Sequence, residues 1–121
     1  MAQHNNLGRN GEQAVISYLQ KNGYRILESN WFYEKYEVDI IAENDEWIIF
    51  VEVKTRTSSI WGNPEDAVSP SKIRRIVESA DNYLIENNIE KPVRFDVAAV
   101  ISANGQFDIE YIEDAFLPPI M

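Results

Sequence analysis

The chain predicts an α/β domain in the order helix, three strands, helix, two strands. Three observations carry this. Apolar residues recur at helical spacing in two stretches, near residues 14–19 and 73–84. Five shorter stretches are rich in Val, Ile, Phe, Tyr and Trp, as half-buried strands are. Turn residues punctuate the boundaries at Gly23, Glu43-Asn44-Asp45-Glu46, Ser69-Pro70-Ser71 and Ser102-Ala103-Asn104-Gly105.

The first helix is predicted from about Leu7 to Asn22. At 100° per residue, Ala14, Val15, Ile16, Tyr18 and Leu19 share one half, and Arg9, Asn10, Gln13, Ser17, Gln20 and Lys21 the other. Glu12 breaks the pattern: it lies between Leu19 and Ile16, where an unpaired carboxylate is costly. Either its pKa shifts or something positive meets it. The strands Tyr24 to Tyr33, Tyr36 to Glu43 and Glu46 to Lys54 follow, the last two forming a hairpin. In the third strand Trp47, Ile49, Val51 and Val53 make one wholly apolar face, while the other runs Ile48, Phe50, Glu52, Lys54. Thr55 to Pro70, rich in Thr, Ser, Gly and Pro, reads as a mobile loop. Ser69 then caps a second helix with Pro70 in its first position. That helix reaches about Asn87 and buries Ile73, Ile76, Val77, Ala80 and Leu84. Strands Val93 to Ile101 and Phe107 to Ile112 complete the sheet.

Composition narrows the chemistry. The 121 residues include 11 Lys and Arg, 20 Asp and Glu, one His and no Cys, for a net charge of -9. A chain of this length buries about two-thirds of its unfolded surface and needs no staple to fold, so a single domain over residues 1–121 is expected. Without cysteine, disulfides, thiol catalysis, zinc fingers and iron–sulfur clusters are excluded, so any metal sits on oxygen ligands. His4, placed in an N-terminal tail, is assigned no role. With no long apolar run and no signal-peptide pattern, the expected compartment is the cytoplasm and no membrane partner is expected. The acidic balance argues against a generic nucleic-acid binder. The charge is uneven, however: from Lys54 to Arg75 there are five cations and two anions, against six cations and eighteen anions elsewhere.

An even-numbered hairpin loop, pairing Ala42 with Trp47, sets Asp39 opposite Phe50 and diagonal to Glu52, within roughly 7–8 Å and on the face that carries Lys54. Two carboxylates held at a sheet edge repel each other unless a hard cation such as Mg²⁺ lies between them, and the Val53 carbonyl offers a further oxygen. Lys54 is placed to orient or deprotonate a water, or to stabilise charge on an attacked phosphoryl oxygen. This is the layout of a metal-dependent phosphodiesterase.

Asp39, followed after twelve residues by Glu52-Val53-Lys54, resembles the D…(D/E)-x-K signature of the restriction-endonuclease-like nucleases. Leu7 to Glu12, Gly23 to Leu27, Glu37 to Ala42, Phe50 to Arg56, Ala67-Val68 with Lys72, Arg94 to Val97 and Asp114-Ala115-Phe116 resemble, in order, the YraN-like bacterial family, over nearly the whole chain. The resemblance implies a restriction-endonuclease-like core, a mixed five-stranded sheet flanked by helices in the order αβββαββ. It is similar to archaeal Holliday-junction resolvases, where a helical Glu joins the metal site, which implies that role for Glu12. The sequence departs from the family pattern at Tyr36, where a Gly is usual, and at Phe32, where an Arg is common.

Together these readings give a Mg²⁺- or Mn²⁺-dependent endonuclease acting on DNA, branched or single-stranded, with Glu12, Asp39, Glu52 and Lys54 as catalytic residues. Glu12, Asp39, Glu52 and Val53 are the expected metal ligands, and Arg9, Arg56 and Lys72 the expected nucleic-acid contacts. Lys72 is otherwise a surface lysine. Tyr18, Tyr83 and Trp47 read as core, Trp61 as either a wedge against nucleic acid or a packing residue, and Asp96 with Arg94 as a structural ion pair. The acidic body calls for a homodimer or a protein partner that supplies basic surface. The other reading is a catalytically silent nucleic-acid-binding or protein-interaction module on the same fold.

Overall fold

Helix α1 (Gln3–Lys21) leads into strands β1 (Arg25–Tyr33), β2 (Tyr36–Glu43) and β3 (Ile48–Arg56). Helix α2 (Pro70–Glu86) precedes β4 (Val93–Ala103) and β5 (Gln106–Ile112). The structure is a computed structural model that describes residues 3–57 and 68–116, with side chains of α1 described from Gly8 onward. Trp61 and most of the predicted loop lie outside the described residues, as does the side chain of His4. The observed order is the expected αβββαββ. Helix α1 starts earlier than predicted, so the backbone of His4 is helical rather than part of a tail.

The five strands lie side by side in chain order; β3 and β4 are parallel and the other neighbours antiparallel. The single parallel pair follows from α2: parallel neighbours need a long crossover, and the chain between β3 and β4 is the stretch long enough to supply one. Strand β3 is therefore central. Ile48 and Phe50 face α2, packing with Ile76, Ala80, Tyr83, Phe95 and Val97. Ile49, Val51 and Val53 face α1, packing with Val15, Leu19, Ala98 and Val100. Burial on both faces explains the near-continuous apolar run of this strand.

Helix ends follow their local chemistry. The Ser69 hydroxyl accepts the Lys72 N–H at 3.2 Å, and Pro70 opens α2. At the end of α1, Gly23 has φ +89°, and the Tyr24 and Gly23 N–H groups donate to the Leu19 and Gln20 carbonyls, satisfying carbonyls that the helix leaves open. Of the predicted α2 stripe, Ile76 and Ala80 are buried and Ile73, Val77 and Leu84 pack beside them, while Ser79 and Tyr83 are buried as well. Ser79 is tolerated because its hydroxyl donates to the Arg75 carbonyl at 2.8 Å.

The predicted hairpin register is corrected. Ile40 pairs with Val51, Ile41 with Phe50, Ala42 with Ile49 and Glu43 with Ile48, so β3 starts two residues later than expected and runs on to Arg56. The cause is Asn44. Its side-chain oxygen accepts the N–H groups of Glu46 (2.9 Å) and Trp47 (2.7 Å), and its own N–H donates to the Trp47 carbonyl at 2.9 Å. Trp47 is thereby drawn out of the strand into the turn. The loop is still even, so the facing of every side chain is kept while the pairing moves by two.

Gly11 is where α1 crosses the end of β3. A Cβ there would stand 2.1 Å from Thr55 Oγ1 and 3.1 Å from Thr55 Cβ. Gly11→Ala should therefore push α1 off the sheet and cost about 1–3 kcal/mol, read by urea denaturation. Gly11→Ala combined with Thr55→Ser should recover little, because the clashing hydroxyl remains; combined with Thr55→Gly it should recover much of the packing loss.

Candidate functional site

The site begins where β2 and β3 part. Their paired residues end at Ile40 and Val51, although both strands continue. Extended past that point, the register would set Asp39 opposite Glu52 rather than diagonal to it, and both side chains line one recess. In the opening, an Asp39 carboxylate oxygen accepts the Val53 N–H at 2.8 Å, replacing a strand-to-strand bond with a side chain. A strand residue directs its N–H and C=O to the same side, so the Val53 carbonyl also faces this opening.

Glu52 is 5% exposed, and its carboxylate meets the Lys72 ammonium of α2 at 2.5 Å. Around the pair is a recess of about 180 Å³ lined by Lys35, Tyr36, Glu37, Asp39, Glu52, Lys72, Arg75 and Ile76. Tyr36, one of the family departures, organises the rim: Arg75 lies 5.5 Å and Lys35 5.9 Å from its ring centroid. Phe32, the other, is 58% exposed. Lys54 follows Glu52 on the same strand face, half-buried, outside the residues that line the recess.

Burial, followed by the charge of Glu52, pushes the Asp39 carboxyl up to about 7; Glu12 and Glu37 add to the rise, and the Val53 N–H opposes it. Glu12 also stands above its ordinary value, chiefly through burial, with Glu37 and Glu52 adding to the effect and Asn30 and Arg9 opposing it. Of the two resolutions offered for Glu12 the first is realised, while the group bonded to it is neutral rather than positive. Its carboxylate is shifted, and what meets it is an amide: Asn30 donates to Glu12 at 3.1 Å and to Glu37 at 2.8 Å. Asn30 has φ +51°, a left-handed conformation that Asn tolerates better than most residues. Among the described residues, no group of three or more Asp, Glu or His side chains is gathered closely enough to hold one ion.

The structure thus brings Asp39, Glu52, the Val53 backbone and Lys72 together, with Glu12 electrostatically coupled at the margin. Arg9 is exposed on α1 and close enough to influence Glu12, while Arg56 ends β3. Asn30, Glu37, Lys35 and Arg75 were not singled out from sequence. Arg75 was locatable, since it stands three residues beyond Lys72 and so on the same side of α2. Asn30 had no comparable signal.

A second polar cluster lies on the α1 side. Asp96 is fully buried and accepts bonds from Arg94 Nε at 3.0 Å and Nη2 at 3.0 Å, the Tyr111 hydroxyl at 2.6 Å and the Asp114 N–H at 2.9 Å. Burial, then the Asp96 charge, raises the Tyr111 pKa far above its ordinary value. Arg94 also lies over the rings of Tyr24 and Trp47. Every buried side-chain polar atom among the described residues has a partner, and this cluster is the structural ion pair expected from sequence, extended by two tyrosines.

Fold and site define an α/β domain that gathers acidic side chains at the parting of two central strands. Residues 11–100 match the model of UPF0102, described as an uncharacterised protein family, and the chain belongs to that family. It is similar to UPF0102 proteins of Flavobacterium psychrophilum (47% identity over 116 residues, 96% of this chain and 98% of that one) and Phocaeicola vulgatus (48% over 120 residues, 99% of each). A relative in Parabacteroides distasonis is 49% identical over 119 residues, 98% of each chain. The matched stretch includes Glu12, Asp39, Glu52, Lys54, Arg56 and Lys72, and stops short of Arg9. Among the described residues no helix is long and apolar enough to cross a membrane.

Proposed function

We propose that the protein is a metal-dependent endonuclease of the restriction-endonuclease-like superfamily, hydrolysing phosphodiester bonds in DNA, branched or single-stranded, with Mg²⁺ or Mn²⁺. The observation that carries this reading is the shared recess of Asp39 and Glu52 where the pairing of β2 and β3 ends, beside a rim of cations. The donor chemistry fits a hard divalent ion: two carboxylates and a carbonyl, all oxygen, with Asp39 raised to about 7 first by burial and then by the Glu52 charge, both of which a bound cation would offset.

Asp39, Glu52 and the Val53 carbonyl are the ligands in this reading, and Glu12 completes the site through water. Bound there, the ion would neutralise phosphate charge and acidify a water. Lys54, on the strand face of Glu52, orients that water or stabilises charge on the attacked phosphoryl oxygen. Lys72, Arg56 and Arg9 hold phosphate. Because the chain carries a net charge of -9, unaided affinity for DNA should be weak and steeply salt-dependent, and a second copy or a protein partner adds basic surface. A cytoplasmic location is consistent with such a substrate.

One observation favours the alternative, a silent binding or interaction module: an ammonium already neutralises Glu52. Incubation with branched, duplex and single-stranded DNA and with RNA, plus Mn²⁺, separates the two. Cleavage should be seen, and Lys54→Ala should slow it by about 100-fold or more while leaving Mn²⁺ affinity within about twofold. Metal binding with every nucleic acid left intact would favour the module; no metal binding would remove the enzyme reading.

A further inference from the structure

We propose, building on the metal-dependent reading above, that Lys72 is the resident counter-ion of Glu52 and is exchanged for the divalent cation, so that metal and substrate phosphate bind cooperatively. The Glu52 side chain is 6% exposed, whereas that of Lys72 is 36% exposed. A carboxylate this buried cannot be left bare, and the flexible lysine is the partner free to leave.

Lys72 is also held against a local preference. It is the third residue of α2 after Ser69 and Pro70, where the positive end of the helix repels an ammonium, and the first turn contains no acidic residue to offset this. Glu52 is what draws it inward. A divalent ion ligated by Glu52 would stand within a few ångströms of the ammonium, and repulsion between the two would expel the lysine.

The freed ammonium does not go far. Lys35 and Arg75 line the same recess, Arg75 held over the Tyr36 ring, so Lys72 joins two cations at the rim beside Asp39 and Glu52. A phosphate adjoining the acidic pair meets all three. Metal binding thus converts an internal ion pair into a phosphate contact, and linkage requires each ligand to strengthen the other by the same factor.

Calorimetric titration with MnCl₂, and anisotropy of a short labelled single-stranded DNA with EDTA or Mn²⁺, test this. The DNA arm is run on Lys54→Ala protein so that the strand is not cut. Lys72→Met should bind Mn²⁺ roughly tenfold more tightly without DNA. Mn²⁺ should tighten DNA binding by about fivefold or more with Lys72 present, and hardly at all in Lys72→Met. Lys72→Arg, which keeps the charge, should stay near the parent in both. Should Lys72→Met lose its far-UV circular dichroism, Lys72→Gln takes its place. Unchanged or weaker Mn²⁺ binding in the variant, or coupling that survives in it, overturns the exchange alone. Absence of Mn²⁺ binding to the unmutated protein overturns the metal reading and the exchange with it.

Discussion

Replacing Asp96 by Ala should destabilise the fold by about 3–5 kcal/mol, because it strands a buried arginine. The Arg94 side chain is 8% exposed, and no buried charge is left to meet it: the Tyr24 hydroxyl at 2.6 Å is neutral, and Glu113 at 3.8 Å is a weak, solvent-exposed contact. The loss has three parts: the Arg94 guanidinium loses its bidentate partner, the Tyr111 hydroxyl loses a 2.6 Å acceptor, and the Asp114 N–H loses one of two bonds between the segment after β5 and β4, the Ala115 N–H to the Phe95 carbonyl remaining. At about 4 °C per kcal/mol for a domain of this size, the midpoint should fall by roughly 12–20 °C. Asp96→Asn, which keeps an acceptor but not the charge, should cost less. Guanidinium denaturation of both variants checks this; an Ala variant within about 1 kcal/mol of the parent would mean that the cluster adds little to stability.

Asp39→Asn should do the reverse to stability while removing the response to metal. The folded-state pKa of Asp39, about 7, lies above the ordinary value of 3.8. Well below pH 4 the side chain is largely neutral whether folded or unfolded, and its charge costs nothing. As pH rises from 4 to 7 the unfolded chain ionises first, so stability is lost across that window, and above it the full penalty applies. Asn carries no charge and can still accept the Val53 N–H. The variant should therefore be more stable than the parent at pH 8, by up to about 4 kcal/mol, with the gap closing towards pH 4. Thermal shift should also find that Mn²⁺ stabilises the parent and leaves the variant unmoved, a trade of stability against function common at sites that crowd like charges. A variant less stable than the parent at pH 8 would show that Asp39 is not held under strain.

The sequence made the element order legible because each boundary has local chemistry: Ser69-Pro70 for α2, Gly23 for the end of α1, apolar alternation for the strands. The shared face of Asp39, Glu52 and Lys54 was legible for the same reason, since it depends only on the parity of the hairpin. The register was not. It hangs on the Asn44 side chain bonding two backbone N–H groups, a choice among turn types that residue identity alone leaves open. The Asn30 bridge from Glu12 to Glu37 and the Lys72 pair with Glu52 were equally out of reach, because each joins elements far apart in the chain. Glu12 shows what a sequence can still say: a carboxylate on an apolar helix face announces a partner without naming it.

The most direct test is an anomalous-difference map from crystals of the protein grown with Mn²⁺. The account predicts a peak between the carboxylates of Asp39 and Glu52, with the Lys72 ammonium withdrawn from Glu52 towards the rim. A map with no peak there at saturating Mn²⁺, and Lys72 still seated on Glu52, would contradict it.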